Sequence, residues 1–150
     1  MTWFEEFRPG ERMRHARGTT VGEVENQLLT KLVLNTSQAH FNEHAMAGSP
    51  LGEGRLVFGL VTGSIVIGLA TQDTAEHALA EVGLDRMRFT APVHHGDTLY
   101  AESTVLEVRP SESKPDRGVV RVRTDVYNQE NKLVASFKRA VLVPRRLSED

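Results

Sequence analysis

The stretch VLNTSQAHFNEHA, residues 33–45, places His40 and His44 four positions apart, with Glu43 just before the second histidine. HFNEH has the H-x-x-E-H form of an inverted zinc-hydrolase motif, in which two histidines one helical turn apart need a third ligand and an open position for water. The stretch is short, follows a helix end and precedes a Gly/Pro-rich loop, so no metal is expected and His44 reads as a surface residue. A general-base reading needs a neutral histidine, a group that holds water, and a donor for developing negative charge. Asn35 and His40, five apart across a helix end, can face one pocket. Gly59 opens an apolar segment, and its N–H is one of the donors a helix N-terminus leaves unpaired, where the helix dipole favours an anion. Histidine, amide and helix N-terminus together suit chemistry that builds an enolate beside a thioester.

These residues need elements to position them. TVGE at 20–23 reads as a capping box, with Thr20 as N-cap and Glu23 three residues on. Val21, Val24, Leu28 and Leu32 then follow the rhythm of one buried helical face, fading near Leu34. AGSPLGEG is a loop. LVFGLVTGSIVIGLA, residues 56–70, runs fifteen positions without a charge. It is short of the roughly 20 residues a bilayer span needs and reads as a buried helix. Its glycines 59, 63 and 68 each cost about 1 kcal/mol relative to Ala in a helix, so the expectation is that another backbone approaches closely there. TAEHALAEV reads as a second helix, capped by Asp73, with His77 on its surface. Residues 99–109, 118–128 and 133–143 read as strands. In the second, Val120, Val122, Thr124 and Val126 alternate with polar residues, and NQEN reads as the hairpin turn before the third. PVHHGDTLY is a turn into a strand, so His94, His95 and Asp97 read as turn residues. The class is α+β, with helices gathered on one face of an antiparallel sheet.

Composition narrows the function. The 150 residues suit one domain, 1–150, with a real core. Hydrophobic residues at 39% and charged residues at 25% fit neither a disordered chain nor a membrane protein. A net charge of −2, with one Trp, two Tyr and six Phe, offers neither the cations nor the stacking surface for nucleic acid. The absence of cysteine removes thiolate nucleophiles, disulfides and cysteine-ligated zinc. The N-terminal residues carry no apolar signal-like stretch, so the expected compartment is the cytoplasm.

The order of motifs resembles the MaoC-like dehydratase family of hot-dog folds, which contains the (R)-specific enoyl-CoA hydratases. The family's G-D-x-N-P-x-H motif corresponds to LNTSQAH at 34–40, and its Gly-rich entry to the central helix corresponds to GRLVFG at 54–59. RFTAPVHHGDTLYAESTVLEVR, residues 88–109, is similar to the family's P-V-x-x-G-D-T-L strand entry. The pattern N-T-x-x-x-H-F is closer to a branch acting on branched C5 dicarboxylic thioesters, the mesaconyl-CoA or itaconyl-CoA hydratases. The resemblance implies a single hot dog, a curved antiparallel sheet wrapped around the apolar helix, paired as a homodimer or higher homo-oligomer. It implies a hydro-lyase acting on an acyl-CoA thioester with no cofactor. His40 falls on the family's catalytic histidine, and Gly59 on the glycine whose N–H polarises the thioester carbonyl. The chain also departs from the pattern. Asn35, Ser37 and Gln38 replace the family's aspartate, asparagine and proline, and Phe58 replaces the histidine before Gly59. An amide cannot take a proton at neutral pH, so His40 is expected to be the sole base and Asn35 to hold the water or the histidine. Val57, Phe58 and Thr62 are expected to wall the acyl pocket. Arg55 and Arg88 are candidates for a second substrate carboxylate, with a plain surface role as the alternative for each. A hot-dog acyl-CoA thioesterase and a non-catalytic acyl-CoA binder are the rival readings.

Overall fold

The computed structural model describes residues 2–146. Three long strands, β4 (Thr98–Pro110), β5 (Arg117–Tyr127) and β6 (Leu133–Pro144), form an antiparallel meander. They match the three runs read as strands, and the turn at 128–131 joins the last two. The short strands β1 (Arg12–Arg14) and β2 (Thr19–Thr20) pair with β4, and β3 (Ala80–Phe89) pairs with β6, giving the order β1-β4-β5-β6-β3. The period-two pattern fixes the register. Ala101 pairs with Val126, Ser103 with Thr124 and Val105 with Val122, so one face of the sheet carries the buried side chains.

Helix α3 (Gly59–Thr74) lies on that face. Val61 and Val66 pack with Leu99, Ala101, Val126, Ala135 and Phe137. The rest of the face is covered by Phe4 and Phe7 of the N-terminal segment, together with Ala75 just past α3. This is the hot-dog arrangement the resemblance implied, and the class is α+β.

The glycines of α3 have a packing reason at two positions of three. A Cβ on Gly59 would meet the Phe89 ring at 2.8 Å, and one on Gly63 would meet the Met87 methyl at 3.2 Å, while Gly68 faces open space. What approaches is therefore side chains of β3 rather than another backbone.

Two sequence expectations are overturned. Residues 74–82 do not form a second helix: α3 runs on to Thr74, and β3 begins at Ala80. Alternation there was hidden by register shifts at Glu81/Gly83 and Asp85/Arg88, which bulge the strand. Asp73 is accordingly no N-cap. It sits in the last turn of α3, where its carboxylate accepts from Nδ1 of buried His15 at 2.7 Å. Nε2 of His15 pairs with the Ser103 hydroxyl at 2.7 Å, and Ser103 pairs with Thr124 at 2.9 Å.

The first helix starts two residues late. Thr20 belongs to β2, and α1 (Glu23–Leu32) has Gly22 as its N-cap, whose N–H donates to the Glu25 carboxylate at 2.6 Å. That bond is the chief reason the Glu25 carboxyl is held below its usual range. Its buried face is also not the apolar one. Val24, Leu28 and Leu32 are 76%, 55% and 68% exposed, while Asn26 and Thr30 are fully buried. The backbone groups at the start of α3 need polar partners, and α1 turns its polar stripe towards them.

His15 bridges strand and helix through charged and hydroxyl partners. Its substitution by Ala leaves buried polar atoms short of partners, at a cost of about 1–3 kcal/mol. The expected outcome for His15→Ala is a lower urea midpoint with an unchanged denaturant slope; an unchanged midpoint would contradict the bridging role.

Candidate active site

His40 lies in α2 (Gln38–Phe41), a single turn rather than the longer helix that would align it with His44. The helix ends at Phe41, Asn42 is extended and His44 is exposed, so the two histidines do not share a helical face. Gln27 of α1 holds α2 by donating to the His40 carbonyl at 2.5 Å. The His40 ring packs against Phe58, centroids 5.3 Å apart. Its Nδ1 lies 3.0 Å from the Leu56 carbonyl oxygen. A carbonyl can only accept, so Nδ1 carries the proton and Nε2 is left as the basic nitrogen.

His40 lines a cleft of about 360 Å³ with Leu51, Leu56, Val57, Gly59, Thr62 and the segment from Phe89 to Val93. The walls are mostly apolar, and no Lys or Arg is among the lining residues. Gly59 is the first residue of α3, and Phe58 its N-cap. The Val61 and Thr62 N–H groups both return to the Phe58 carbonyl. The helix cannot use its first N–H groups, so Gly59 offers a donor at the cleft on the positive end of a 16-residue helix. Thr62, one turn further in, is 1% exposed, and its hydroxyl has no partner among the described residues. Thr71 and Thr74 of the same helix bond back to the carbonyls four residues earlier, at 2.6 Å each.

Val57, Gly59 and Thr62 thus meet His40 in one cleft, while Phe58 does not line it and packs against the histidine ring at a tilt of 47°. Asn35 is not brought there. It lies with Lys31, Leu34, Thr36 and Phe41 around a separate hollow, and its side-chain oxygen accepts from the Ser37 N–H at 2.9 Å. The side chain closes an Asx turn leading into α2, which is what short polar side chains do at such positions. Arg55 is also elsewhere. Its guanidinium donates to Glu43 at 2.5 Å and Glu23 at 2.7 Å, and those bonds hold it above the usual arginine range. A guanidinium already bonded to two carboxylates is a poor candidate for a third. Arg88 lies with Arg86, Arg123 and Lys138 around a different hollow.

Sequence reasoning missed Asn26. Its Oδ1 accepts from the Phe58 N–H at 3.0 Å and from the Thr30 hydroxyl at 3.2 Å. Its Nδ2 donates to the Leu56 carbonyl at 3.3 Å and to Nε2 of His95 at 2.9 Å. His95 was read as a turn residue. Burial holds its ring below the usual histidine range, Arg55 adding to the effect and Glu23 and Glu43 opposing it. The available signal was Asn26 and Thr30 four apart on one stripe of a helix whose apolar stripe looked like the obvious buried face.

The hot-dog architecture thus carries an apolar cleft in which His40 meets the N-terminus of α3. Residues 8–147 match the model of the mesaconyl-CoA hydratase family, and the chain belongs to that family. It is similar to the beta-methylmalyl-CoA dehydratase of Chloroflexus aurantiacus, 30% identical over 95% of this chain and 44% of that protein. It is also similar to the mesaconyl-CoA hydratase of Cereibacter sphaeroides, 34% identical over 96% of this chain and 41% of that protein. The chain therefore spans less than half the length of these curated relatives. Among solved structures, a MaoC-like dehydratase from Rhodospirillum rubrum superposes with a TM-score of 0.84 at 27% identity, covering 98% of this chain and 99% of that one.

Arg55 ties the loop at 42–55 to α1, and this predicts a structural phenotype. Arg55→Ala is expected to release about 1 kcal/mol of local stability, which is roughly a fivefold change in the open population. Limited proteolysis should show cleavage within 42–55 about fivefold faster, with global unfolding little changed. An unaltered cleavage rate would show that the two ion pairs hold nothing in place.

Proposed function

We propose that this chain is a hydro-lyase that adds water across the double bond of an enoyl-CoA thioester, with a branched C5 dicarboxylic acyl group of the mesaconyl type as substrate. The observation that carries the reading is the Leu56 carbonyl. It fixes the proton of His40 on Nδ1 and frees Nε2, in the cleft where Gly59 offers its N–H. Nε2 takes a proton from water, and the hydroxide oxygen bonds to Cβ. The double-bond pair moves to make an enolate, with its charge on the thioester oxygen held by the Gly59 N–H. The imidazolium then returns its proton to Cα, so the elements of one water are added and the enzyme is regenerated. The Thr62 hydroxyl, which has no partner among the described residues, orients a polar part of the bound acyl group, Val57 packs against its carbons, and Phe58 backs the His40 ring. Asn35 acts on the site through the turn that delivers α2, in keeping with its bond to Ser37.

One observation favours a second reading of the acyl group. A cleft lined by no Lys or Arg suits a neutral short enoyl chain better than a second carboxylate. The family match supports the dicarboxylate. Loss of enoyl absorbance with mesaconyl-CoA, itaconyl-CoA and crotonyl-CoA, in the presence of a chelator, decides between them. Decay on mesaconyl-CoA is the expected result, and decay on crotonyl-CoA alone selects the second reading. Release of free thiol from a saturated acyl-CoA would replace both with a thioesterase. His40→Ala is expected to lower kcat by about 10²–10⁴-fold, the usual contribution of a general base, with thioester binding retained. A variant that keeps most of its rate would remove His40 from the chemistry.

The working unit is proposed to contain a second copy of this chain, in the cytoplasm. Strand β3 is a ten-residue edge strand with Val82, Leu84 and Phe89 exposed, and α1 exposes Val24, Leu28 and Leu32. An apolar edge of this length invites pairing with another strand. The relatives' length, more than twice this chain's share of it, is consistent with two such units acting together. Sedimentation equilibrium is expected to give twice the chain mass, and Val82→Lys to shift the population towards monomer. A monomer at all concentrations would overturn the pairing.

A further inference from the structure

We infer that Asn26 is a positioning residue that holds the general base and the oxyanion donor in one geometry, with His95 accepting the remaining N–H of its amide. The inference rests on the hydratase reading above. Asn26 is fully buried, and all four of its hydrogen bonds are made. Two of them clasp the segment 56–58 at both ends, through the Leu56 carbonyl and the Phe58 N–H. The Leu56 carbonyl is the same oxygen that sets the His40 tautomer. Phe58 is the N-cap residue directly before Gly59. A single side chain thus fixes the acceptor that frees the base and the peptide that aims the helix N-terminus. The task needs an acceptor on one side and a two-proton donor on the other. Asp lacks the donor and Leu lacks both.

The Leu56 carbonyl can only accept and the Phe58 N–H can only donate, so the amide has one orientation, and its second N–H is aimed at Nε2 of His95, which in the neutral ring accepts it. The ring feels charge of both signs: Glu23 and Glu25 of α1, Glu43 and Arg55 of the loop before α3, and the neighbouring His94. Protonation of His95 would set an N–H against the Asn26 NH2, a donor against a donor, and the amide has no flip that relieves it, because its NH2 would then face the Phe58 N–H. One proton on His95 therefore strains the side chain that holds both the Leu56 carbonyl and the start of α3.

The test joins kinetics to a measurement that needs no substrate. Asn26→Asp is expected to lower kcat about a hundredfold, the cost of a small misplacement of reacting groups, with KM changed less than about threefold. His95→Gln keeps an acceptor that does not titrate, so its kcat should fall less steeply at low pH than that of wild type, by the one proton that His95 takes up. In the apo protein, nitrogen-15 NMR of the His40 ring should report protonated Nδ1, and Asn26→Asp should abolish that preference. Unchanged kcat and an unchanged His40 tautomer in Asn26→Asp, or a low-pH fall as steep in His95→Gln as in wild type, would overturn the inference. If wild type hydrates none of the enoyl-CoA substrates, the hydratase reading fails by itself, and the NMR comparison still decides whether Asn26 sets His40.

Discussion

The Leu56 carbonyl accepts from two donors, Nδ1 of His40 and Nδ2 of Asn26, and the site is arranged around that shared oxygen. A carbonyl has two lone pairs, so it can serve both without leaving either donor unpaired. Each donor comes from a different part of the chain, one from α2 and one from α1. The oxygen itself belongs to the segment that enters α3. Three elements meet at one atom, and a shift in any of them is felt by His40. This suits a histidine that has no carboxylate bonded to it among the described residues. Orientation and tautomer are supplied by a neutral backbone group, so the histidine needs no buried charge to hold it.

Getting α3 to that place sets competing demands on its sequence. It must be apolar on most sides to lie on the sheet, and it must be narrow where β3 crosses it. Gly59 and Gly63 meet the second demand, because Phe89 and Met87 occupy the space where their Cβ atoms would stand. Glycine weakens a helix by about 1 kcal/mol per residue, and burial of Val61 and Val66 against the sheet offsets it. The same absence of a side chain at Gly59 leaves the first N–H of the helix accessible at the cleft. A packing constraint and a chemical one are satisfied by one residue.

The sheet was legible because alternation is a local signal. Val120, Val122, Thr124 and Val126 report a strand with one buried face, and the register follows. The position of His40 and the start of the apolar helix were also legible, because the resemblance ties both to motif residues. Strand β3 was not, since its bulges break the alternation and Ala80–Val82 read equally well as helix. The burial of α1 was misread for a different reason. Periodicity shows that a helix has two faces and cannot tell which one meets the chain's own core. Here the polar face turns inward to pair the backbone at 56–58, and the apolar face is left outward. Asn35 shows a third limit. Spacing brought it near His40 in sequence, but a short side chain in a tight turn finds a backbone partner first, and Ser37 is that partner.

The cluster formed by Asp73, His15 and Ser103 shows what separates a site from a constellation. Its order of carboxylate, imidazole and hydroxyl, with both links at 2.7 Å, is that of a hydrolytic triad. Yet His15 and Ser103 are buried, Ser103 is also bonded to Thr124, and none of the three lines a described cleft. Both ring nitrogens of His15 and the Ser103 hydroxyl already have partners within the fold. At His40 the position is reversed. Among the described residues its Nδ1 has a partner and its Nε2 has none, and beside it stand the Gly59 N–H, which the helix cannot use, and the Thr62 hydroxyl, which no described group binds. Function is read where unspent donors and acceptors converge on space a substrate can enter. In the described chain that condition is met at the mouth of α3, and the triad at His15 is a brace.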